Sequence, residues 1–358
     1  MISRKNMAIC IAGAALCCWL IFLRFEKFDL PGGRMDESPR ILKIFRETRT
    51  VCVGRFLIDV PAEAQVVYGP AEVPYPVRSY SGNGNEMEKM IVEKLGEIEK
   101  ERPRVYDALA KPDSMVGKVE NGILPRQKIV FGISPARFAF YNISSYSQIG
   151  DDVFVQDAEA MGAPQQYRKI VHELNVMSPL FSGRSDEHVP SEAGVCIENG
   201  FIRDAGRPMY EKVSLGVRLS SFPDVHLSIL ATNKDMLVAS DALEPRVKQG
   251  EQLLKSEGQA AWYSQVKKLR QGQRKIGNWQ GFEFLARMPA QELAGESHEF
   301  AFLSQGVPNN PYLPVLDIEL QSGVHDNKIG TVSPSVTDEE ALMIWDRITS
   351  SIRVRPHQ

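Results

Sequence analysis

Thr50-Val51-Cys52-Val53-Gly54-Arg55-Phe56-Leu57-Ile58-Asp59 and Gly194-Val195-Cys196-Ile197-Glu198-Asn199-Gly200-Phe201-Ile202-Arg203-Asp204 are two versions of one phrase. Each reads as a β-branched strand carrying a cysteine, a turn signal, and a second short apolar strand before an Asp. The interval between them is too long for a solenoid repeat. It points instead to two related domains of about 150 residues each. A protein built as a pair of modules usually carries a cleft between them.

Working outward from the first phrase, residues 28–49 read as a tether, broken by Pro31-Gly32-Gly33 and Asp36-Glu37-Ser38-Pro39. The first domain is expected over 50–182. Met87, Met90, Ile91, Leu95 and Ile98 recur at helical spacing from Asn85 to Glu101, and Pro103 follows as a stop. Arg126 to Phe131 and Arg137 to Ile143 read as strands joined by a Gly132/Pro135 turn, and Gln165 to Val176 as a shorter helix. Pro179 to Glu192 reads as connecting chain, with the linker proper at 183–193 and the second domain at 194–358. In that domain Val213 to Ser220, His226 to Thr232, Gly281 to Arg287, Glu299 to Ser304 and Val315 to Gln321 are strand-like. Ala239 to Glu257 and Ala260 to Arg270 read as helical, with Pro245 in a first turn or between two short helices. Thr337 with Glu340 three residues on announces a capped final helix from Asp338 to Ile352. Strands grouped with one or two long helices per module give an α+β class, each domain an antiparallel sheet packed with helix.

Residues 1–27 differ from the rest. Arg4 and Lys5 precede an uncharged apolar run from Met7 to Leu23, closed by Arg24. As a helix this run spans roughly 25 Å, short for a bilayer span and long for a signal-peptide core. Its one Ala-x-Ala, Ala12-Gly13-Ala14, lies inside the run, and Leu16 before Cys17-Cys18 is a poor lipobox residue. An uncleaved anchor, a cleaved signal and a lipoprotein all stay open, and each exports the remainder. A buried helix of a soluble domain is disfavoured, because the run has no polar face.

The 358 residues are 43% hydrophobic and 24% charged with a formal net charge of −3, which gives no basic stripe for nucleic acid. Three of the five cysteines lie in the apolar run, leaving Cys52 and Cys196. In an oxidising compartment two thiols often pair, and a bridge here would stabilise by about 3–5 kcal/mol in the chain-entropy model. Two independent buried thiols acting as small apolar residues fit the sequence equally well. No metal or cofactor site follows.

Catalytic signatures are weak. Gly132-Ile133-Ser134-Pro135-Ala136 comes near a nucleophile elbow, but the proline and the strand after it read as a hairpin turn. His172-Glu173 lacks the second histidine of a zinc-peptidase helix. His188 beside Asp186 and Glu187, and Ser322 with His325 and Asp326, read as solvated loops. Asp151-Asp152 and Glu339-Glu340 are adjacent acids, the latter at a helix N-terminus. Gly82-Asn83-Gly84 lacks the strand, lysine and spacing of a phosphate loop. Lys267, Lys268, Arg270, Arg274 and Lys275 form a basic patch near an expected helix end, either a solvated terminus or a contact for anionic lipid or an acidic partner.

The stretches Thr50 to Pro61 and Glu192 to Ile202, with the N-terminal apolar segment, resemble the immunity proteins paired with type VI secretion phospholipase effectors. The similarity is to the fourth family of lipase-cognate immunity proteins, and it covers nearly the whole exported chain as an N-terminal and a C-terminal immunity domain. The resemblance implies a periplasmic protein that binds a toxic lipase of α/β-hydrolase type; the apolar run at residues 7–23, read by itself, adds the expectation of an inner-membrane anchor. The resemblance also implies a claw-like arrangement of the two domains that blocks substrate access, with no catalytic residues to carry over. Cys52 and Cys196 then stand as fold residues. The rival classes are an exported serine hydrolase, using Ser134 or Ser322 with a distant histidine, and a membrane-anchored envelope scaffold.

Overall fold

The computed structural model describes residues 38–104, 109–137, 139–291 and 293–357. The apolar run at 7–23 and most of the expected tether lie outside them. Among the described residues no helix is long and apolar enough to cross a membrane.

Nineteen strands and six α-helices occur among the described residues. In order they are α1 (Pro39–Ile44), β1 (Thr48–Val53), β2 (Phe56–Pro61), β3 (Gln65–Tyr68), β4 (Ala71–Glu72), β5 (Pro76–Tyr80) and α2 (Met87–Glu101). Then come β6 (Val119–Asn121), β7 (Gln127–Ile133), β8 (Phe140–Ile149), β9 (Asp152–Met161), α3 (Pro164–Met177) and β10 (Phe181–Gly183). The second half runs β11 (Gly194–Ile197), β12 (Gly200–Arg203), β13 (Lys212–Leu219), β14 (Phe222–Thr232), α4 (Leu243–Ser256), α5 (Ala260–Tyr263) and β15 (Lys267–Ile276). It closes with β16 (Trp279–Met288), β17 (Ser297–Ser304), β18 (Val315–Gln321), α6 (Asp338–Ser350) and β19 (Arg353–Val354). The result is an α+β protein of two sheet-rich domains with antiparallel pairing throughout.

One sheet of 13 strands runs through both domains in the order β15-β16-β17-β18-β14-β13-β4-β5-β9-β8-β7-β6, with β3 beside β13. The main core gathers Val51, Ile58, Val213, Leu227, Ile318 and Trp345 from both halves of the sequence. A second core lies within 87–174, including Ile91, Phe131, Ile143, Val155 and Leu174. The chain from Ile41 to Val77 thus packs with the second half, while its last strand, β5, is also joined to β9.

Both repeated phrases are hairpins, and they meet. Gly54 N–H donates to the Cys196 carbonyl and Cys196 N–H to the Gly54 carbonyl, each at 2.8 Å. Beside this bridge Cys52 and Cys196 form a disulfide with Cα atoms 5.9 Å apart. The reason lies in burial. Val51 to Val53 and Gly194 to Ile197 are buried on both strand faces, so neither short hairpin stands alone in water. The C-terminal β19 adds to β2, so the two ends of the described chain share one small sheet.

Two segments depart from the expected pattern. Lys267 to Arg270, expected to end a helix, begins the edge strand β15, because the helix of Ala260–Tyr263 stops after four residues. Lys, Arg and Gln favour helix in isolation, but here acids on neighbouring elements decide. The stretch 179–192 is held chain rather than loose linker. Phe181–Gly183 pairs with β12, and the buried Arg184 guanidinium donates to the carbonyls of Ser185, Asp186, His188, Ile197 and Gly200. Arg355 adds bonds to the carbonyls of Pro190, Glu192 and Gly194. The final helix starts as its sequence says: Thr337 accepts from Glu340 N–H, and the Glu340 carboxylate accepts from Thr337 N–H.

Candidate functional site

The residues singled out in the sequence lie apart. Ser134 is fully buried at the β7–β8 turn, where its hydroxyl donates to Glu159 and accepts from Arg137 N–H. His172 is exposed on α3 while Glu173 accepts from the Tyr75 hydroxyl. His188 is exposed, and its neighbour Asp186 is an ion-pair partner of Arg184. Asp152 accepts from Ser81 and Gly82, which fixes the Gly82-Asn83-Gly84 loop. Exposed Glu339 and buried Glu340 belong to the N-terminal turn of α6.

Four of the patch's five cations are paired with acids from three elements. Lys267 meets Asp338 at 2.5 Å, Lys268 meets Glu251 at 2.6 Å, and Arg270 and Arg274 meet Glu283 at 2.6 and 2.8 Å. Such largely matched charge leaves little for an anionic surface, and it guards an otherwise open sheet edge. No group of three or more His, Cys, Asp or Glu among the described residues is placed to hold a metal ion.

One polar array was not legible in the sequence. Ser322 is bonded not to its neighbour His325 but to His298, at 2.7 Å from Nδ1, and His298 Nε2 lies 2.9 Å from Asp338. This has the order of a Ser-His-Asp triad, but Ser322 has no exposed surface and His298 is 1% exposed. The serine oxygen also accepts from His298 N–H at 3.0 Å. Burial lowers the His298 imidazole below its ordinary value, against the opposing pull of Asp338, so the ring is held neutral. A hydroxyl closed to substrate in this way ties β17 and β18 to the start of α6.

The open surface lies elsewhere, and strand register defines it. Lys212 pairs with Glu72, Glu72 with Pro76, Arg78 with Val155, and Val155 with Tyr146, so these side chains share one face of the long sheet. Their alternates Val213, Ala71, Val77 and Phe154 enter the main core on the other face. Continued the other way, the open face carries Thr232, Val315, Asp317, Leu303 and Phe282. Leu243 and Val247 of α4 pack onto Phe282 and Leu303 at one end of this face. Ile98 of α2 packs over Gly132 at the other. Helices therefore cover the two ends, and the middle strands lie bare between them.

Four hollows of about 260, 550, 410 and 400 Å³ fill that middle stretch in series. Leu230 and Asp317 are shared by the first two, Gly69 by the next two, and Arg78 and Tyr80 by the last two, so they form one trough. Its floor carries ion pairs. Lys212 pairs with Glu72 at 2.9 Å and Arg78 with Asp157 at 2.6 Å. Burial pushes the Asp317 carboxyl up, and the nearby Glu319 charge adds to it. A small-molecule site would be concave and enclosed. A long open trough between two helical walls, with a largely apolar lining and ion pairs along it, suits a macromolecular partner.

The sequence profile described as Tle cognate immunity protein 4 N-terminal domain matches residues 49–168, and the profile of the corresponding C-terminal domain matches residues 188–357. The chain belongs to this immunity-protein family. Among solved structures, the Tle4-Tli4 complex contains a chain of the same fold, with TM-score 0.69 and 21% identity over 87% of this chain and 98% of that one. The apo immunity protein TplEi of the type VI secretion system of Pseudomonas aeruginosa is similar at TM-score 0.67 and 20% identity, again over 87% and 98%. No curated protein matches in sequence. The family membership rests on both domains, and the trough crosses the seam where the two meet.

Proposed function

We propose that this chain is an immunity protein that binds a cognate type VI secretion lipase effector in the periplasm and blocks its access to phospholipid, protecting the producing cell from its own toxin and its siblings'. The observation that carries the reading is the family match over both domains, together with a relative solved as a Tle4-Tli4 complex. The trough supports it: inhibition needs no reactive group, only a stiff surface of roughly 800 Å² per partner where substrate must enter. An α/β-hydrolase lipase gripped between α2 and α4 would be held closed. The Cys52–Cys196 bridge favours an oxidising compartment. The apolar run at 7–23 favours delivery to, and retention at, the inner membrane, close to the lipid the toxin attacks.

The test mixes the purified full chain with the lipase encoded beside it and records binding and residual phospholipase activity together. Stoichiometric binding with loss of activity is expected. Absence of binding, or phospholipid hydrolysis by this chain alone, overturns the reading. The second reading, an exported serine hydrolase, draws on the Ser322–His298–Asp338 array. Ser322→Ala separates the two: an inhibitor keeps full inhibition and loses about 1–3 kcal/mol of stability through orphaned buried partners, whereas a hydrolase loses turnover.

A further inference from the structure

An exposed apolar tip stands at the α4 end of the trough. Met236, Leu237, Val238 and Val307 are 64%, 40%, 42% and 47% exposed, although two separate loops supply them. The loops are stitched together: Asn309 N–H donates to the Lys234 carbonyl at 2.8 Å, and Gln305 Nε2 donates to the Val238 carbonyl at 2.5 Å. Val307 N–H is itself bonded to the Leu313 carbonyl at 2.7 Å. Gly306, at φ +66°, sits where a Cβ would come within 2.3 Å of the Leu313 and Pro314 carbonyls. The turn thus admits only glycine and holds Val307 in place. Leu237 and Val238 also line the hollow that opens into the trough through Leu230 and Asp317.

A pinned cluster of large apolar side chains facing water is a recognition feature, since folding alone gives no reason to expose it. Holding it in one geometry removes ordering cost from association. Resting on the functional reading above, we infer that Met236, Leu237, Val238 and Val307 form the anchor that packs against the apolar rim of the cognate lipase's acyl-chain entrance. The occupant follows from chemistry: an enzyme that accepts fatty acyl chains must present apolar surface where they enter, and this tip is continuous with the trough proposed to hold that enzyme. A lipid surface fits less well. Lys234 is paired with Asp241, Asp235 and Asp317 lie close by, and no excess of cations faces an anionic headgroup layer.

The experiment titrates the cognate lipase with the full-length wild-type chain, Met236→Glu/Leu237→Glu, the conservative Met236→Leu, and Leu293→Glu as a control at the most exposed apolar residue outside the tip. Thermal unfolding is measured on each, and flotation on phosphatidylethanolamine/phosphatidylglycerol vesicles is measured on each with residues 1–37 removed, so that the apolar run at 7–23 cannot drive it. About 30-fold or greater weakening for the double variant, with Met236→Leu and Leu293→Glu binding as wild type and an unchanged melting temperature, is the expected pattern. Wild-type affinity in the double variant overturns the anchor while leaving the immunity reading intact. Loss of vesicle flotation with lipase binding retained overturns it in favour of a membrane-facing tip. Failure of the wild type to bind the lipase overturns the functional reading and this inference with it.

Discussion

Removing the bridge by Cys52→Ala/Cys196→Ala should destabilise the chain through its unfolded state rather than its folded one. The folded joint has other ties. Two backbone bonds of 2.8 Å join Gly54 to Cys196, Arg55 pairs with the buried Glu211 at 2.6 Å, and Arg184 and Arg355 hold the intervening backbone. With these in place the hairpins stay together when the sulfurs are gone. The unfolded chain, by contrast, gains the freedom of a loop spanning 144 positions. The chain-entropy relation gives about 17 cal/mol/K for a loop of that size, or about 5 kcal/mol at 25 °C. At about 2.1 cal/mol/K per residue the unfolding entropy is about 0.7 kcal/mol/K, so the melting temperature should fall by about 7 °C.

The assay compares thermal unfolding of wild type and variant by circular dichroism, with near-UV spectra recorded below the transition. A fall under about 2 °C with native spectra would refute the loop-entropy argument, because the cross-link would then constrain nothing that unfolding releases. A fall beyond about 15 °C with altered near-UV bands would refute the other half, showing that the bridge assembles the joint instead of closing an already assembled one.

The segment 179–192 should resist limited thermolysin digestion in the wild type, and Arg184→Ala should open it. That substitution strips donors from five backbone carbonyls and costs about 3 kcal/mol, visible as cleavage before Leu180, Phe181 or Val189. Equal resistance in both would mean that Arg355 and the β10–β12 pairing suffice. Stability should also decline as pH falls through about 6.5. His298 is held below its ordinary value by burial, so the unfolded chain takes up this proton before the folded chain does; the contribution is complete above 6.5 and lost below it. His298→Gln should flatten that decline in denaturant titrations at pH 7.5 and 5.5. An unchanged slope would assign it to His226, which burial also lowers.

Local rules were readable where a single element decides its own fate. The capping box at Thr337 and Glu340, the spaced apolar residues of α2 and the alternation of β13 and β14 all depend on near neighbours in sequence. β15 was not readable, because its lysines and arginines become strand residues only against acids at 251, 283, 338 and 346. The repeated phrases signalled duplication, yet the sequence could not show that the two copies pack on each other. Cys52 and Cys196 were compatible with bonded and free states alike. His298 was invisible for the same reason, its partners lying 24 and 40 residues away. The trough has no local signature at all. Its floor is assembled from register between strands far apart in the chain, and register is a property of the sheet.

The seam explains why the buried joint lies where it does. Between β13 and β5 the long sheet is continued by β4 alone, two residues long, with a single register pair to β13. Strand pairing is thinnest at this point, so the two helical walls of the trough would rock about it if nothing else held them. The disulfide, the Arg55–Glu211 pair and the Arg184–Tyr68 contact all fall on strands or turns flanking that seam, and Glu211 immediately precedes β13. Six strands separate the pair under α4 from the pair under α2, which at about 4.8 Å per strand places the walls up to ~38 Å apart, wide enough to admit helical elements of a partner. A trough that wide grips only if its ends are fixed with respect to each other. A hinge at the seam would return the binding energy as ordering entropy. On the reading proposed for the trough, the buried cations and the cross-link keep its two walls in register with their target.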